Sequence, residues 1–230
     1  LEATLSDPTQ PSESNPDSPA DPAKPEPVST SLVESIRSER LTDALTSIAD
    51  VGLEAVSESK IPGISTLVGI YRAQKQVRQN LELRNIIRFL QSLETVSAEK
   101  RREFTNRLQS EGKSAEFGEN ILLILSRLDD TKKADMIGRL MAAHIDGNIS
   151  FEKAMRLVAI VNRCYAQDLD YLRVFKSGVQ RSGTDIAVSL FSAGLLADRG
   201  IDGGSFTDPE SGGTIYDLNE YGRLVRDYAL

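Results

Sequence analysis

The chain has no tryptophan, one cysteine (Cys164) and one histidine (His144) in 230 residues. Each scarcity excludes some chemistry. A lone cysteine rules out an intramolecular disulfide, which fits a reducing compartment and sets the expectation of a cytoplasmic protein. One histidine and one cysteine cannot build a Cys/His zinc site. A Ser–His or Cys–His catalytic pair would have to use His144, because the nucleophile needs a base beside it. Yet His144 lies one turn after Leu140 at the edge of an apolar stripe, and Cys164 lies one turn after Val161. Both read as packing residues of a helical core, with a His144–Cys164 pair as the alternative.

Long apolar runs are missing as well. None reaches the roughly 18–20 residues that span a bilayer, and no charged start followed by an apolar core marks a signal peptide. The chain begins with Leu1, so a targeting segment removed before this point stays open.

Nucleotide loops of the form G-x-x-x-x-G-K-[ST] or G-x-G-x-x-G are absent. "LFSAG" (190–194) has Leu190 where a nucleophile elbow needs its first glycine. "HIDGNISFEKAMRL" has the look of half a calcium loop. Setting Gly147 at the turn puts Ala142 and Lys153 where oxygen ligands are required. The alternative is that Gly147 closes one helix and Ser150 opens the next. The carboxylates of "LDD" and "DLD" read as caps or solvent-facing groups. No cofactor and no metal is expected.

Proline is scarce outside the first thirty residues, which hold seven of the nine. Pro16, Pro19, Pro22 and Pro25 recur every third residue, the period of polyproline II. This segment has six acids, one base and few large apolar residues. It cannot repay its ordering entropy and is expected to be a disordered acidic tail, 1–30, acting as a spacer. It contributes −5 of the net −7, which leaves −2 for the other 200 residues. Between Arg72 and Arg107 lie nine bases and four acids, a local +5.

Helical spacing dominates the remainder. "SLVE" (31–34) reads as a capping box that opens a helix to about residue 57. "KIPG" breaks it, since Pro62 disfavours helix at Ile61. Further helices are expected over 64–79 and 81–93, then from Ser97, from Ser114, from Asp130 to before Gly147, and from Ser150 to about Lys176. Thr184 can cap the next, followed by a Gly-rich loop over 198–213. "TIYDL" (214–218) suits a strand, and Asn219 can cap a last helix.

"SKIPGISTLVGIYRAQKQVRQ", starting at Ser59, allows three readings: a membrane anchor, a phosphate-gripping helix or a buried helix start. Ile64, Leu67, Val68 and Tyr71 share one helix face, and the bases follow that face instead of lying opposite it. The expectation is that the apolar face turns inward. The bases Arg72, Lys75, Arg78, Arg84, Arg88, Lys100, Arg101, Arg102 and Arg107 form a candidate interaction surface for phosphate or an acidic partner. The alternative is a solvated helical surface partly neutralised by Glu82, Glu94, Glu99 and Glu103.

Residues 187–230 resemble the end of a winged-helix domain. Gly194, Leu195 and Leu196 match its GLL-like helix end, and Tyr216, Leu218 and Gly222 match the segment after the wing, with Asn219 in place of threonine. The resemblance implies a short β-hairpin flanked by helices. The helix it would send into a DNA groove, 184–197, contains no base, and loop 198–213 holds four acids and one base. Groove binding asks for the opposite charge. The stretch 61–225 is also similar to a loosely defined set of bacterial helical proteins without assigned activity, which implies a bacterial origin and transfers no site.

The sequence therefore predicts an all-α, multi-helix bundle (31–178) with a small winged-helix-like C-terminal element (179–230). The expected function is non-enzymatic: an interaction, scaffold or regulatory protein with an unidentified protein partner. A nucleic-acid-binding regulator using the winged element or 72–107, and a peripheral membrane effector using 61–79, are the alternatives.

Overall fold

The structure, a computed structural model, describes residues 28–39, 41, 63–73, 77–180, 184–205, 207–208 and 212–230, with the side chains of 70–73 and 77–80 left out. The expected tail up to residue 27, and residues 42–57 of the helix expected from Ser31, lie outside the described residues. Ten α-helices occur among those described: α1 Val28–Arg37, α2 Ile64–Ala73, α3 Val77–Ser92, α4 Ala98–Ser110, α5 Ser114–Ser126, α6 Lys132–Ile145, α7 Phe151–Arg163, α8 Ala166–Tyr171, α9 Thr184–Ser192 and α10 Glu220–Tyr228. Three short strands, β1 Gly178–Val179, β2 Leu196–Asp202 and β3 Gly213–Leu218, form an antiparallel sheet in the order β1-β3-β2. The fold is mainly α with a small β element. No described helix is long and apolar enough to cross a membrane.

Several boundaries follow directly from local chemistry. Ser97 accepts from the Lys100 N–H, Ser150 from the Lys153 N–H and Asn219 from the Gly222 N–H, each satisfying an orphan donor at a helix start. Gly147, at φ +85°, ends α6, and the Asn148 N–H donates to Ala143 O across the turn. That left-handed cap, with Ser150 opening α7, accounts for the segment that resembles a calcium loop.

Other boundaries are set by packing and differ from expectation. The helix expected at Ser31 begins at Val28, and Ser31 is a buried interior residue whose carbonyl accepts from Ser35 Oγ. Ser29, Ser31 and Ser35 form a small-residue face on which Gly63 and Gly118 approach the α1 backbone. That close packing places Ser31 inside the helix and removes it from the cap. Helix α2 stops at Ala73 and α3 starts at Val77, so the boundary expected near residue 80 falls inside α3. Ser114 is the first residue of α5, and Lys113 occupies the cap position. Asp130 contributes from two residues before α6, its carboxylate accepting from the Lys132 N–H. Thr184 is likewise inside its helix, donating to Gln180 O. The first part of the expected 198–213 loop is strand β2.

The single long helix expected from Ser150 to about Lys176 is two, α7 and α8, separated at Cys164, whose backbone is extended. The cause is tertiary. Lys133 Nζ donates to Asn162 O at 3.1 Å, the carbonyl that the Ala166 N–H would use in a continuous helix.

The core joins every layer. Leu32, Ile36, Leu67, Phe89, Ile121, Leu140, Val158, Leu190, Leu195 and Val225 belong to one buried cluster. Core residues on both sides of the 178/179 position belong to that cluster. Ile64, Leu67 and Val68 are each at most 2% exposed. The described part of that apolar face, Ile64, Leu67 and Val68, is therefore turned inward, as its spacing predicts.

Candidate functional site: an aromatic cleft

Four rings from four helices meet where α4 ends, α5 begins and α6 turns into α7. Phe104 stands edge-on to Phe117 (centroids 5.3 Å apart) and to His144 (5.6 Å). Phe151 closes the ring of four against Phe117 (6.2 Å) and His144 (5.4 Å). All four separations lie in the favourable range for aromatic pairs. With Leu108 they wall an open cleft of about 530 Å³, a size typical of small-ligand sites. Phe104 and Phe117 are buried, but Phe151 is 43% exposed.

The rim is charged. Arg107, Glu111, Lys113, Glu116 and Asn120 surround the opening. Lys113 pairs with Glu111 at 2.8 Å and holds that carboxyl below its usual range. Arg107 lies within electrostatic reach of Glu111 and His144, yet its guanidinium makes no ion pair or hydrogen bond among the described residues.

His144 Nδ1 lies 3.1 Å from Ile149 O. A carbonyl can only accept, so Nδ1 carries the proton and Nε2 is an acceptor in the neutral ring. Burial pushes the imidazole below the ordinary histidine range, opposed by the bond to Ile149 and assisted by the Arg107 charge. Burial therefore favours the neutral ring.

Of the bases named from the sequence, the described side chains have different surroundings. Lys75 lies outside the described residues, and Arg72 and Arg78 are placed by backbone alone, on α2 and α3. Arg84 is exposed on α3. Arg88 pairs with Asp135 at 2.6 Å, Lys100 with Asp146 at 2.8 Å and Arg102 with Glu39. Arg101 is 3% exposed and leaves the surface altogether. Its Nε and Nη1 have no hydrogen-bond partner among the described residues, and burial lowers its pKa while the nearby Glu94 opposes that shift. Among the described ones, Arg107 alone lines the aromatic cleft. The sequence marks Phe104, Phe117 and Phe151 as members of helical stripes, but no local signal reports that the three stripes end at one opening.

His144 and Cys164 sit at opposite ends of the antiparallel α6–α7 pair. The 13 residues of α7 separate them by about 20 Å, so they form no catalytic pair. Burial pushes the Cys164 thiol up to about 11, which leaves roughly a hundredfold less thiolate at pH 8 than an ordinary thiol has. A thiol reagent at pH 8 should label the folded protein far more slowly than the same protein in denaturant. Equal rates would show that Cys164 is reachable. Among the described residues no group of His, Cys, Asp and Glu side chains is arranged to hold a metal ion.

A second apolar surface lies on the C-terminal element. Antiparallel pairing puts Leu196 and Leu218, Asp198 and Tyr216, and Ile201 and Thr214 on one sheet face. Phe191 of α9 packs on Tyr216 at 5.6 Å. Val188, Phe191 and Ile201 are all exposed there. The element therefore presents exposed apolar side chains.

Comparisons of the chain with family models, with curated proteins and with solved structures give no match. The functional reading therefore rests on these surfaces.

Proposed function

We propose that this chain is a non-enzymatic interaction protein that binds a protein partner. The observation that carries the reading is the aromatic cleft, with Phe151 held bare at its mouth. Solvating that ring and the cleft walls is unfavourable, and a partner side chain relieves it. The face of Val188, Phe191 and Ile201 supports the same reading and suits a winged-helix shape reused for protein contact.

Photo-crosslinking residues introduced at Asn120 and at Val188, with Glu103 as an exposed control, test it in extract of the source cell. A defined protein adduct at Asn120 or Val188, absent at Glu103, is the expected result. The reading fails if the purified chain converts a small molecule and His144→Ala abolishes the conversion.

The nucleic-acid alternative draws on the bases of 72–107, three of which are already engaged by acids of this chain. Exposed pairs contribute little to stability, but they reduce the charge left for phosphate. A DNA and RNA titration across salt concentrations is expected to show no binding near physiological ionic strength. Tight binding with a steep salt slope would favour the alternative.

A further inference from the structure

We propose that the aromatic cleft takes a tryptophan or tyrosine side chain from a partner polypeptide that carries a carboxylate beside it. The ring lies against Phe104, Phe117 and Phe151, its N–H or O–H is donated to His144 Nε2, and the carboxylate pairs with Arg107. The inference rests on the interaction reading above and names the chemistry of the partner.

Three independent observations converge on this ligand. The walls are aromatic, and the cleft of about 530 Å³ has room for a bulky ring together with adjoining backbone. Ring on ring is favoured beyond simple burial. The hydrogen bond from Nδ1 to Ile149 O makes Nε2 an acceptor, and Nε2 has no partner among the described residues. Phenylalanine or leucine would leave it unsatisfied, whereas an indole N–H or a phenol O–H would engage it. Finally, of the two rim cations Lys113 is paired with Glu111, whereas Arg107 has no ion-pair partner among the described residues, and its planar fork suits a carboxylate.

The other rim charges set the polarity. Glu111 is already held by Lys113 at 2.8 Å. Glu116 also lines the cleft and disfavours an acid beside it. The acid of the partner must therefore lie on the Arg107 side of the ring. The first 27 residues of the chain contain no aromatic residue, so the N-terminal segment does not carry this anchor.

The test is a displayed library of random dodecapeptides selected on the full chain. Enriched peptides are then synthesised and titrated, and tryptophan emission reports the peptide alone because the chain has no tryptophan. The expected result is enrichment of tryptophan or tyrosine next to aspartate or glutamate. Affinity should fall about tenfold or more in Arg107→Glu and in His144→Phe and be unchanged in Arg84→Glu. Arg107 is exposed, so its variant should keep the wild-type circular dichroism. The proposal is overturned by no enrichment, by enriched peptides lacking the aromatic–acid pair, or by binders indifferent to Arg107→Glu. Tyr165 is itself 61% exposed. Self-association of the chain that Tyr165→Ala abolishes would put a second copy in the cleft and also overturn the proposal. A crosslinked partner at Val188 with no peptide binding at the cleft would leave the interaction reading standing and this site refuted.

Discussion

Gly118→Ala should destabilise the protein by about 2–3 kcal/mol and lower Tm by roughly 4–12 °C, while Gly69→Ala should stabilise it by roughly 0.5–1 kcal/mol. Both glycines lie inside helices, and helix propensity alone predicts a gain at each. At Gly118 a Cβ would stand 2.3 Å from Ser29 O and 2.7 Å from Ser29 C. These are backbone atoms, so no side chain can swing aside, and α1 must move off α5. That shift would loosen Leu32 and Ile36, which are fully buried. At Gly69 an added Cβ meets nothing within 4 Å, so only the reduced freedom of the unfolded chain counts. Chemical denaturation of the two variants checks both signs. Equal stabilisation by both would mean that α1 does not pack on α5 as described.

Lys133 carries the second large effect. It is 0% exposed at the start of α6. Its ammonium bonds Asp129 Oδ1 at 2.6 Å and Asn162 O at 3.1 Å. Asp129 is itself 65% exposed, so the ion pair is wet at one end, and the bond from Lys133 holds that carboxyl below its usual range. The charge also sits at the C-terminal end of α7, where the helix dipole favours a cation. The buried four-carbon stem is the larger contribution. Lys133→Ala should cost about 3 kcal/mol, through a cavity and an orphaned carbonyl. Lys133→Met keeps the stem and should cost only about 1 kcal/mol, since apolar replacement of a buried ion is often close to neutral. Comparable losses in the two variants, measured by denaturant titration, would place the stability in the charge and not in the packed stem.

The sequence is most legible where chemistry is local. Ser97, Ser150 and Asn219 open their helices as their side chains dictate, and Gly147 closes α6 in the conformation only glycine adopts cheaply. The inward face of Ile64, Leu67 and Val68 is readable because helical periodicity alone aligns them. The sequence misleads where a distant partner competes with a local signal. Ser31 has the form of a cap, yet it lies under Gly63, whose added Cβ would stand 2.5 Å from its carbonyl. The break at Cys164 has no proline or glycine to announce it, because the lysine that takes the carbonyl of Asn162 is 29 residues away. Arg101 belongs to a basic run in the sequence, but its position on α4 points it into the core.

By itself the chain's order of residues determined the helical class, several helix starts, the strand near 214–218 and the absence of an intramolecular disulfide and of Cys/His zinc chemistry. Those follow from backbone propensity, capping and side-chain inventory, which act within a few residues. Only the tertiary structure decided which bases remain free, that three phenylalanines and the sole histidine share one opening, and that Arg107 stands at its edge. Contacts between helices far apart in sequence are chosen by shape and buried area, and no neighbouring residue records that choice.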